Sequence, residues 1–201
     1  SLIKHGTENP SPCTTTTTSV IGNSGVQKNR NLSSLKYLNT GDALVARVID
    51  KVCKVIDKDI PILILGETGT GKEILAQAIH NDSPRNNNPF VAVNCGAIPE
   101  NLMESEFFGY RKGAFTGADD DREGFFQAAS GGTLFLDEVA DMPRETQGKI
   151  LRVLVDQNFQ RVGGAMRVHV DVRVISSTAR DLAGEIAAGR FREDLVHRLS
   201  V

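Results

Sequence analysis

The chain has 201 residues, enough to bury one core, and its 40% hydrophobic and 24% charged residues are those of an ordinary globular domain. With a net charge of -2, the chain lacks the basic excess that a duplex-binding domain normally shows, so DNA binding by these residues is not expected. No segment approaches the roughly 18 apolar residues of a membrane helix, and the N-terminus lacks a basic patch followed by an apolar run. We therefore expect a cytoplasmic protein whose residues bind neither DNA nor membrane.

The first part of the chain, residues 1–40, is polar and irregular. It contains Pro10, Pro12, a threonine run from Thr14 to Thr18, and scattered Asn, Ser and Gly. These residues offer too few apolar groups to offset the entropy cost of ordering, so we predict a linker. An edge strand within residues 14–21 is the alternative, since threonine favours strands.

An α/β domain is predicted from residue 41 to residue 201. Asp42 is a candidate helix N-cap, and apolar residues repeat at helical spacing from Leu44 to Ile56. Strands are predicted at 61–65, 90–93, 133–136 and 171–176, and further helices at 72–80, 101–107, 143–156 and from 181 onward. This alternation predicts a parallel sheet covered by helices on both faces, with ligands at the carboxyl ends of the strands.

A glycine-rich loop between the first strand and its helix predicts a nucleotide-binding site. The loop consists of Gly66, Glu67, Thr68, Gly69, Thr70, Gly71, Lys72 and Glu73. Its glycines let backbone N–H groups surround phosphate oxygens, while Lys72 and the helix N-terminus add positive charge. Glu73 stands where the general motif has a magnesium-binding Ser or Thr, and its carboxylate can hold the ion directly or through water. The alternative is a turn that binds no ligand.

Two segments interrupt the alternation of strands and helices. Residues 109–121 are rich in glycine and charge and are too long for a simple connection. Residues 159–164 contain Gly163 and Gly164 and are followed by Val168 and Val170 in alternation, which predicts a small hairpin.

Two acids follow the apolar strand at 133–136. Asp137 is placed to hold Mg²⁺ through water, and Glu138 to orient and deprotonate the water that attacks the γ-phosphate. A solvated strand end is the alternative for such a pair on its own. Many kinases do not need the second acid, so the pair favours hydrolysis, with ATP and Mg²⁺ as the predicted ligands.

Four motifs together resemble a known family. The loop GETGTGKE, the strand GGTLFLDE, the segment GAFTGA and the tail FREDLVHRLSV are similar to the AAA+ domain of bacterial enhancer-binding proteins, the NtrC-like activators that remodel sigma-54 RNA polymerase. The resemblance covers residues 36–201, and Glu at position 73 is characteristic of it. It implies an α/β fold of the AAA+ P-loop NTPase type with two pore-loop insertions. The helical lid and any DNA-binding or sensory domain are expected outside this chain.

The resemblance also implies roles for residues outside the two nucleotide motifs. Asp137 and Glu138 match the family's Walker B acids, and Asn94 matches the residue that contacts the Walker B glutamate, here Glu138, and relays the nucleotide state; a turn-capping Asn is the alternative. Thr178 matches sensor I and would orient the hydrolytic water. Arg192 and Arg198 match two interface arginines, one or both of which act as fingers in the neighbouring subunit's site. The alternative is that Arg192 merely pairs with an acid of its own helix.

The two insertions match the family's pore loops. The tip of the first comprises Gly113, Ala114, Phe115, Thr116, Gly117 and Ala118, whose Phe and Thr would touch sigma-54. The alternative has Phe115 folded into the core beneath a glycine turn. The hairpin from Arg161 to Gly164 would be the second pore loop, with Arg161 as a partner-binding residue. The implied partners are sigma-54 and further copies of the chain, in a hexameric or heptameric ring.

The resemblance thus implies the ATP-hydrolysing core of a sigma-54-dependent transcription activator, with weak turnover in the absence of the lid. Two other interpretations stay open. One keeps the fold and changes the protein client. The other makes the chain a passive, nucleotide-responsive interaction module. DNA would be contacted only through domains outside these residues.

Overall fold

Four parallel strands form the central sheet. The computed structural model describes residues 33–200, and every structural statement below concerns them. Their strands are β1 (Ile62–Leu65), β2 (Phe90–Asn94), β3 (Thr133–Asp137), β4 (Asn158–Gln160), β5 (Arg167–His169) and β6 (Arg173–Thr178). The central sheet has the order β1-β6-β3-β2, and β4 pairs with β5 in a separate antiparallel hairpin. The predicted parallel sheet and the predicted hairpin are both confirmed.

Helices connect the strands of the sheet. They are α1 (Ser33–Tyr37), α2 (Ala43–Val55), α3 (Lys72–Asp82), α4 (Glu100–Phe108), α5 (Phe125–Ala128), α6 (Arg144–Asp156), α7 (Leu182–Ala187) and α8 (Glu193–Leu199). Short 3-10 turns follow β2 and β3, at Cys95–Ala97 and Val139–Asp141. In the described part of the chain, no helix is long and apolar enough to cross a membrane.

The boundary of the predicted linker at residue 40 is too late. Helix α1 lies before that boundary, and its Leu35 is fully buried in the cluster that contains Ile79 of α3. Asp82 at the end of α3 accepts hydrogen bonds from the N–H groups of Ser34 at 3.1 Å and Leu35 at 2.8 Å. Helix α1 therefore belongs to the folded domain. Residues 1–32, including the alternative edge strand at 14–21, lie outside the described residues.

Helix α2 begins as predicted but buries a narrower stripe. The Asp42 side chain accepts the N–H of Leu44 at 2.8 Å, which satisfies a donor of the first turn. Ile49 and Val52 are buried, whereas Leu44 and Val48 are exposed. The apolar stripe in the sequence is wider than the face that this helix packs against the domain.

Apolar clusters cover both faces of the sheet. On one face, Phe135 of β3 and Ile175 of β6 pack with residues of α1, α2 and α3. On the opposite face, Leu136 and Val174 pack with residues of α4, α6 and α8. Side chains alternate between the two faces along a strand. The faces of these four residues therefore determine on which face each later residue of β3 and β6 lies.

A buried arginine joins the segments that enter the sheet. Arg85 donates to both carboxylate oxygens of Asp59, at 2.9 and 2.6 Å, and to the carboxylate of Asp171 at 2.7 Å. It also donates to the backbone carbonyls of Gly132 and Asp171. The hydrogen bond from Arg85 holds the pKa of the Asp59 carboxyl below its usual value. These residues precede β1, β3 and β6, so this network fixes the amino edge of the sheet, opposite the predicted site.

Candidate functional site

The glycine-rich loop connects β1 to α3 at the carboxyl edge of the sheet. Gly69 and Gly71 have φ angles of 80° and 84°, left-handed values that glycine adopts readily. The Thr70 hydroxyl donates to the Glu67 carbonyl at 2.7 Å and closes the turn. Helix α3 begins directly after Gly71, so its free N–H groups and dipole favour an anion at this end of the loop.

Lys72 is a buried cation held by the loop itself. Its ammonium group donates to the carbonyls of Gly66 and Glu67, both at 2.8 Å. An ammonium has three N–H donors, so one remains for another acceptor. Glu73, in the first turn of α3, is exposed. The loop therefore combines a fixed positive charge with a carboxylate at its rim.

The two predicted acids lie at the end of β3, separated from the loop by β6. Asp137 Oδ1 accepts the Ser177 hydroxyl at 2.5 Å and the Glu138 N–H at 3.1 Å. Glu138 has a φ of 53°, which non-glycine residues seldom adopt. Its Oε2 accepts the N–H of Ala179 at 3.3 Å. Both carboxylates are thus tied to the carboxyl end of β6.

Asn94 and Thr178 also lie at the carboxyl edge. Asn94 is the register neighbour of Asp137, but its Oδ1 accepts the Gly96 N–H at 3.0 Å and so caps the turn after β2. Among the hydrogen bonds of residues 33–200, none joins Asn94 to Glu138. Thr178 is buried, and its hydroxyl accepts the N–H of Arg180 at 3.1 Å. The structure brings these residues to one edge and leaves the predicted Asn–Glu pair unconnected.

A buried thiol lies beside the acids. Burial raises the pKa of Cys95 to about 12, and the negative charges of Asp141 and Asp137 act in the same direction. The thiol therefore remains protonated near neutral pH, and Cys95 packs as a small apolar residue in the core.

The first insertion presents an aromatic ring on a closed turn. Gly113 donates its N–H to the Ala118 carbonyl at 2.8 Å. Phe115 is 41% exposed, and its ring meets that of Tyr110 edge-on, with the centroids 4.8 Å apart. Thr116 beside it is exposed. Phe115 thus lies outside both core clusters, on the surface.

The two insertions contact each other through their backbones. Arg111 donates its N–H to the Val162 carbonyl at 3.0 Å, and Val162 donates to the Gly109 carbonyl at 2.9 Å. Gly163 has a φ of 72°, and a Cβ built on it would lie 2.7 Å from the Cβ of Ala114. Only a glycine allows the hairpin to approach the exposed turn this closely.

Arg161 faces its own chain. Its guanidinium donates to Gln127 Oε1 of α5 at 2.8 Å, and its side chain is largely buried. Because α5 directly follows the first insertion, this contact fixes the hairpin to the base of that insertion. The sequence predicts Arg161 as a partner-binding residue, whereas here the side chain makes an internal contact.

The two predicted finger arginines have partners in their own chain. Arg192 forms a two-point contact with Asp194, with Nε–Oδ1 at 3.0 Å and Nη2–Oδ2 at 2.7 Å. Arg198 donates to the Leu154 carbonyl at 3.1 Å. Within residues 33–200, neither makes a hydrogen bond to the glycine-rich loop or to Glu138. Arg192 has the geometry of the alternative interpretation, a pair with an acid of its own helix.

Comparison with known proteins decides the family. A family model described as the Sigma-54 interaction domain matches residues 38–201. This chain belongs to that family. The sequence is 54% identical over 162 residues to the transcriptional regulatory protein GlrR of Escherichia coli (strain K12), covering 81% of this chain and 36% of the relative. It is 53% identical over 157 residues to the DNA-binding transcriptional regulator NtrC of the same strain, covering 78% and 33%. The predicted resemblance is confirmed.

Solved structures agree with the family assignment. NtrX from Brucella abortus in complex with ATP superimposes with a TM-score of 0.72 and 52% identity, covering 79% of this chain and 34% of that chain. A structure described as the P-loop NTPase domain of the sigma-54 transport activator from E. coli shares 18% identity with a TM-score of 0.50, and the match covers 73% of this chain and 96% of that chain. The predicted AAA+ P-loop NTPase fold is confirmed. The chain spans about a third of the length of the curated relatives it matches.

In this sigma-54 interaction domain, a cavity of about 530 Å³ adjoins the glycine-rich loop. Its walls are the end of β1, the segment after β6 and residues of α7 and α8, including Leu65, Gly66, Leu182 and Val196. The cavity has the size of a small-molecule site, and apolar side chains line part of it.

Sequence reasoning missed one residue of this domain's site. Ser177 lies in the segment that contains Thr178, but nothing in that segment alone marks its hydroxyl as a partner of Asp137. Alternation along β6 puts Ser177 on the same face as Ile175. That this is also the face of Phe135 and Asp137 follows only when β3 and β6 are known to be neighbours. The missing information was therefore the strand order.

Proposed function

We propose that this chain is the ATP-hydrolysing core of a sigma-54-dependent transcription activator, acting in the cytoplasm to remodel the closed complex of sigma-54 RNA polymerase. The observation that carries the proposal is the coexistence of three features in one domain. These are the loop with Lys72, the acids Asp137 and Glu138 at the same sheet edge, and the exposed turn with Phe115.

The glycine-rich loop would bind the phosphates of ATP. The N–H groups at the start of α3 and the third N–H of the Lys72 ammonium are the donors available to phosphate oxygens. The neighbouring cavity beside Leu65 and Val196 would receive another part of the nucleotide. The ATP-bound structure of NtrX supports nucleotide binding in this family.

The site residues fit Mg²⁺ shared between protein and substrate. In the described part of the chain, no group of three or more His, Cys, Asp and Glu side chains is arranged to hold a metal alone. Mg²⁺ in nucleotide sites is held by one or two carboxylates together with phosphates and waters. Asp137, with one carboxylate oxygen engaged and the other available, would supply the first carboxylate, and Glu73 at the rim a second. The ion would neutralise charge on the phosphates when bound.

Glu138 would act on the attacking water. Its carboxylate at the strand end is half-buried and accepts one hydrogen bond from residues 33–200, that of Ala179 N–H, so it retains acceptor capacity for a water. Thr178 would help to orient that water. For Asn94 to relay the nucleotide state through Glu138, the Asn94 side chain must leave Gly96 and turn toward the carboxylate.

Assembly into a hexameric or heptameric ring would complete the site. Arg192 and Arg198 would offer guanidinium groups to the γ-phosphate of a neighbouring copy, which makes hydrolysis depend on assembly. Nucleotide-dependent movement would then present Phe115 and Thr116 to sigma-54.

Hydrolysis is tested by Glu138→Gln, which keeps the shape of the side chain and removes the base. We expect the rate of ATP hydrolysis to fall by about 100-fold or more while ATP binding persists. Equal background rates of hydrolysis in the two proteins would favour a passive nucleotide-responsive module.

The partner is tested by binding to purified sigma-54 in the presence of ADP and aluminium fluoride, which imitate the transferring phosphate. We expect Thr116→Ala to abolish this binding while leaving hydrolysis unchanged, because Thr116 is exposed and belongs to neither the phosphate loop nor the acid pair. Unchanged binding would reject the turn as the contact surface. Absence of binding even by the wild-type chain would favour a different protein client.

A further inference from the structure

We propose that Ser177 is a positioning residue for Asp137, and that its hydroxyl fixes the carboxylate in an orientation in which one oxygen faces the magnesium ion. This inference rests on the proposed function. The carboxylate has two oxygens, and the protein engages them unequally. Oδ1 accepts both the Ser177 hydroxyl and the Glu138 N–H, whereas Oδ2 accepts no hydrogen bond from residues 33–200.

Sheet register brings the two side chains together. Leu136 and Ser176 are paired in the parallel ladder of β3 and β6, so the next residues along each strand, Asp137 and Ser177, are neighbours. Both lie on the face of Phe135 and Ile175, which is the face covered by α3. Helix α3 begins at Lys72, and the pair therefore lies on the same side of the sheet as the phosphate loop.

The burial of Ser177 strengthens its hydrogen bond to Asp137. Ser177 is fully buried, so water does not compete for its hydroxyl, and a hydrogen bond to a charged acceptor is stronger than one between neutral groups. Rotating the Asp137 carboxylate would break the bonds from both Ser177 and Glu138. The hydroxyl thus holds one oxygen inward and leaves Oδ2 as the oxygen that would hold the ion, directly or through water.

The preceding residue provides a matched control. Ser176 is also fully buried, but it lies on the opposite face of the sheet, and its hydroxyl has no hydrogen-bond partner among the described residues. Ser176→Ala and Ser177→Ala therefore remove the same atom from adjacent sites of equal burial. Only Ser177→Ala removes a contact to Asp137.

The experiment measures magnesium dependence apart from nucleotide binding. A fluorescent ATP analogue is titrated into the chain in EDTA, and the complex is then titrated with Mg²⁺. Groups that orient a metal ligand typically account for 10- to 100-fold in metal affinity. We therefore expect Ser177→Ala to raise the half-saturating Mg²⁺ concentration by about ten-fold, with analogue affinity in EDTA unchanged. Ser176→Ala should match the wild type, and Ser177→Thr, which keeps the hydroxyl, should restore most of the magnesium affinity.

Each other outcome overturns the inference in a distinct way. A wild-type magnesium midpoint for Ser177→Ala would show that the hydroxyl does not position Asp137. Equal losses in EDTA and in Mg²⁺ would show that Ser177 supports the loop generally. Failure of the wild-type chain to bind the analogue under either condition would refute the proposed ATP site itself, and this inference with it.

Discussion

Gly163→Ala would place a methyl group against the turn that carries Phe115. The new Cβ would lie 2.7 Å from the Cβ of Ala114 and 3.1 Å from its Cα. The two insertions must separate by about 0.8 Å to reach an ordinary carbon–carbon distance of about 3.5 Å. The left-handed backbone adds a cost of about 1 kcal/mol for an L-residue, and overpacking adds about 1 kcal/mol or more. We expect the free energy of unfolding to fall by about 2 kcal/mol.

Two further variants separate the backbone cost from the steric one. Gly189 has a φ of 74°, and a Cβ added there would meet no heavy atom of residues 33–200 within 4 Å apart from its own residue and chain neighbours. Gly189→Ala should therefore cost only the backbone contribution of about 1 kcal/mol. Ala114→Gly removes the opposing methyl group. Combined with Gly163→Ala, it should recover about 1 kcal/mol, the coupling expected of two residues in contact.

Urea unfolding measures these free energies, and a single indole reports on the turn. The chain contains no tryptophan, so Phe115→Trp provides one emission signal beside Tyr110. Acrylamide quenching of that indole should increase in Gly163→Ala and stay constant in Gly189→Ala. Equal stability costs for the two glycine variants, together with unchanged quenching, would refute the conclusion that the hairpin supports the Phe115 turn.

Two predictions concern the scaffold. Arg85→Met should lower the free energy of unfolding by about 2 kcal/mol at pH 7, because buried hydrogen bonds are lost. As a control, Lys54→Met removes an exposed ion pair and should change this free energy by under about 0.5 kcal/mol. Since the hydrogen bond from Arg85 depresses the folded-state pKa of Asp59 from its usual 3.8, the share of this stabilisation that comes from the Arg85–Asp59 contact is present above that pH and is lost as pH falls through the folded pKa. A gap to wild type that stays constant in acid urea titrations would contradict this expectation. Leu35→Ala should lower the free energy of unfolding by about 3 kcal/mol in the same assay. A loss below about 0.5 kcal/mol would show that α1 does not contribute to the stability of the domain.

Local patterns in the sequence predicted the elements of the sheet but not the short first helix. Strands and the helix from Lys72 are marked by apolar runs and a glycine loop, and their observed bounds lie within two residues of the prediction. Helix α1 has only five residues and no repeating apolar stripe. Its stability depends on Leu35 packing and on a cap from Asp82, 47 residues later in the chain. Such a long-range partner cannot be recognised from a local window.

The candidate site likewise has one part that local motifs predicted and another that depends on long-range contacts. The loop and the acid pair are contiguous motifs, so their placement at one sheet edge followed from the alternation of strands and helices. The contact between Ser177 and Asp137 depends on strand order, since β6 inserts between β1 and β3. The contact between Gly163 and Ala114 depends on how two insertions pack. In both contacts, the local sequence around one residue does not identify the residue that it touches.

The contacts at the site also indicate which parts would rearrange on ATP binding and assembly. Glu138 and Asn94 each hold one backbone N–H, and the pair of Arg192 with Asp194 is exposed. Exposed ion pairs contribute little, and a single hydrogen bond can be exchanged for another, so these groups can change partners at low cost. Ser177 donates to Asp137 from a fully buried position, where water does not compete for its hydroxyl, and a bond to a charged acceptor is stronger than one between neutral groups. In the proposed motor, the ion-binding carboxylate would therefore be preformed, while the catalytic base, the relay and the finger would take their working positions only in the ring.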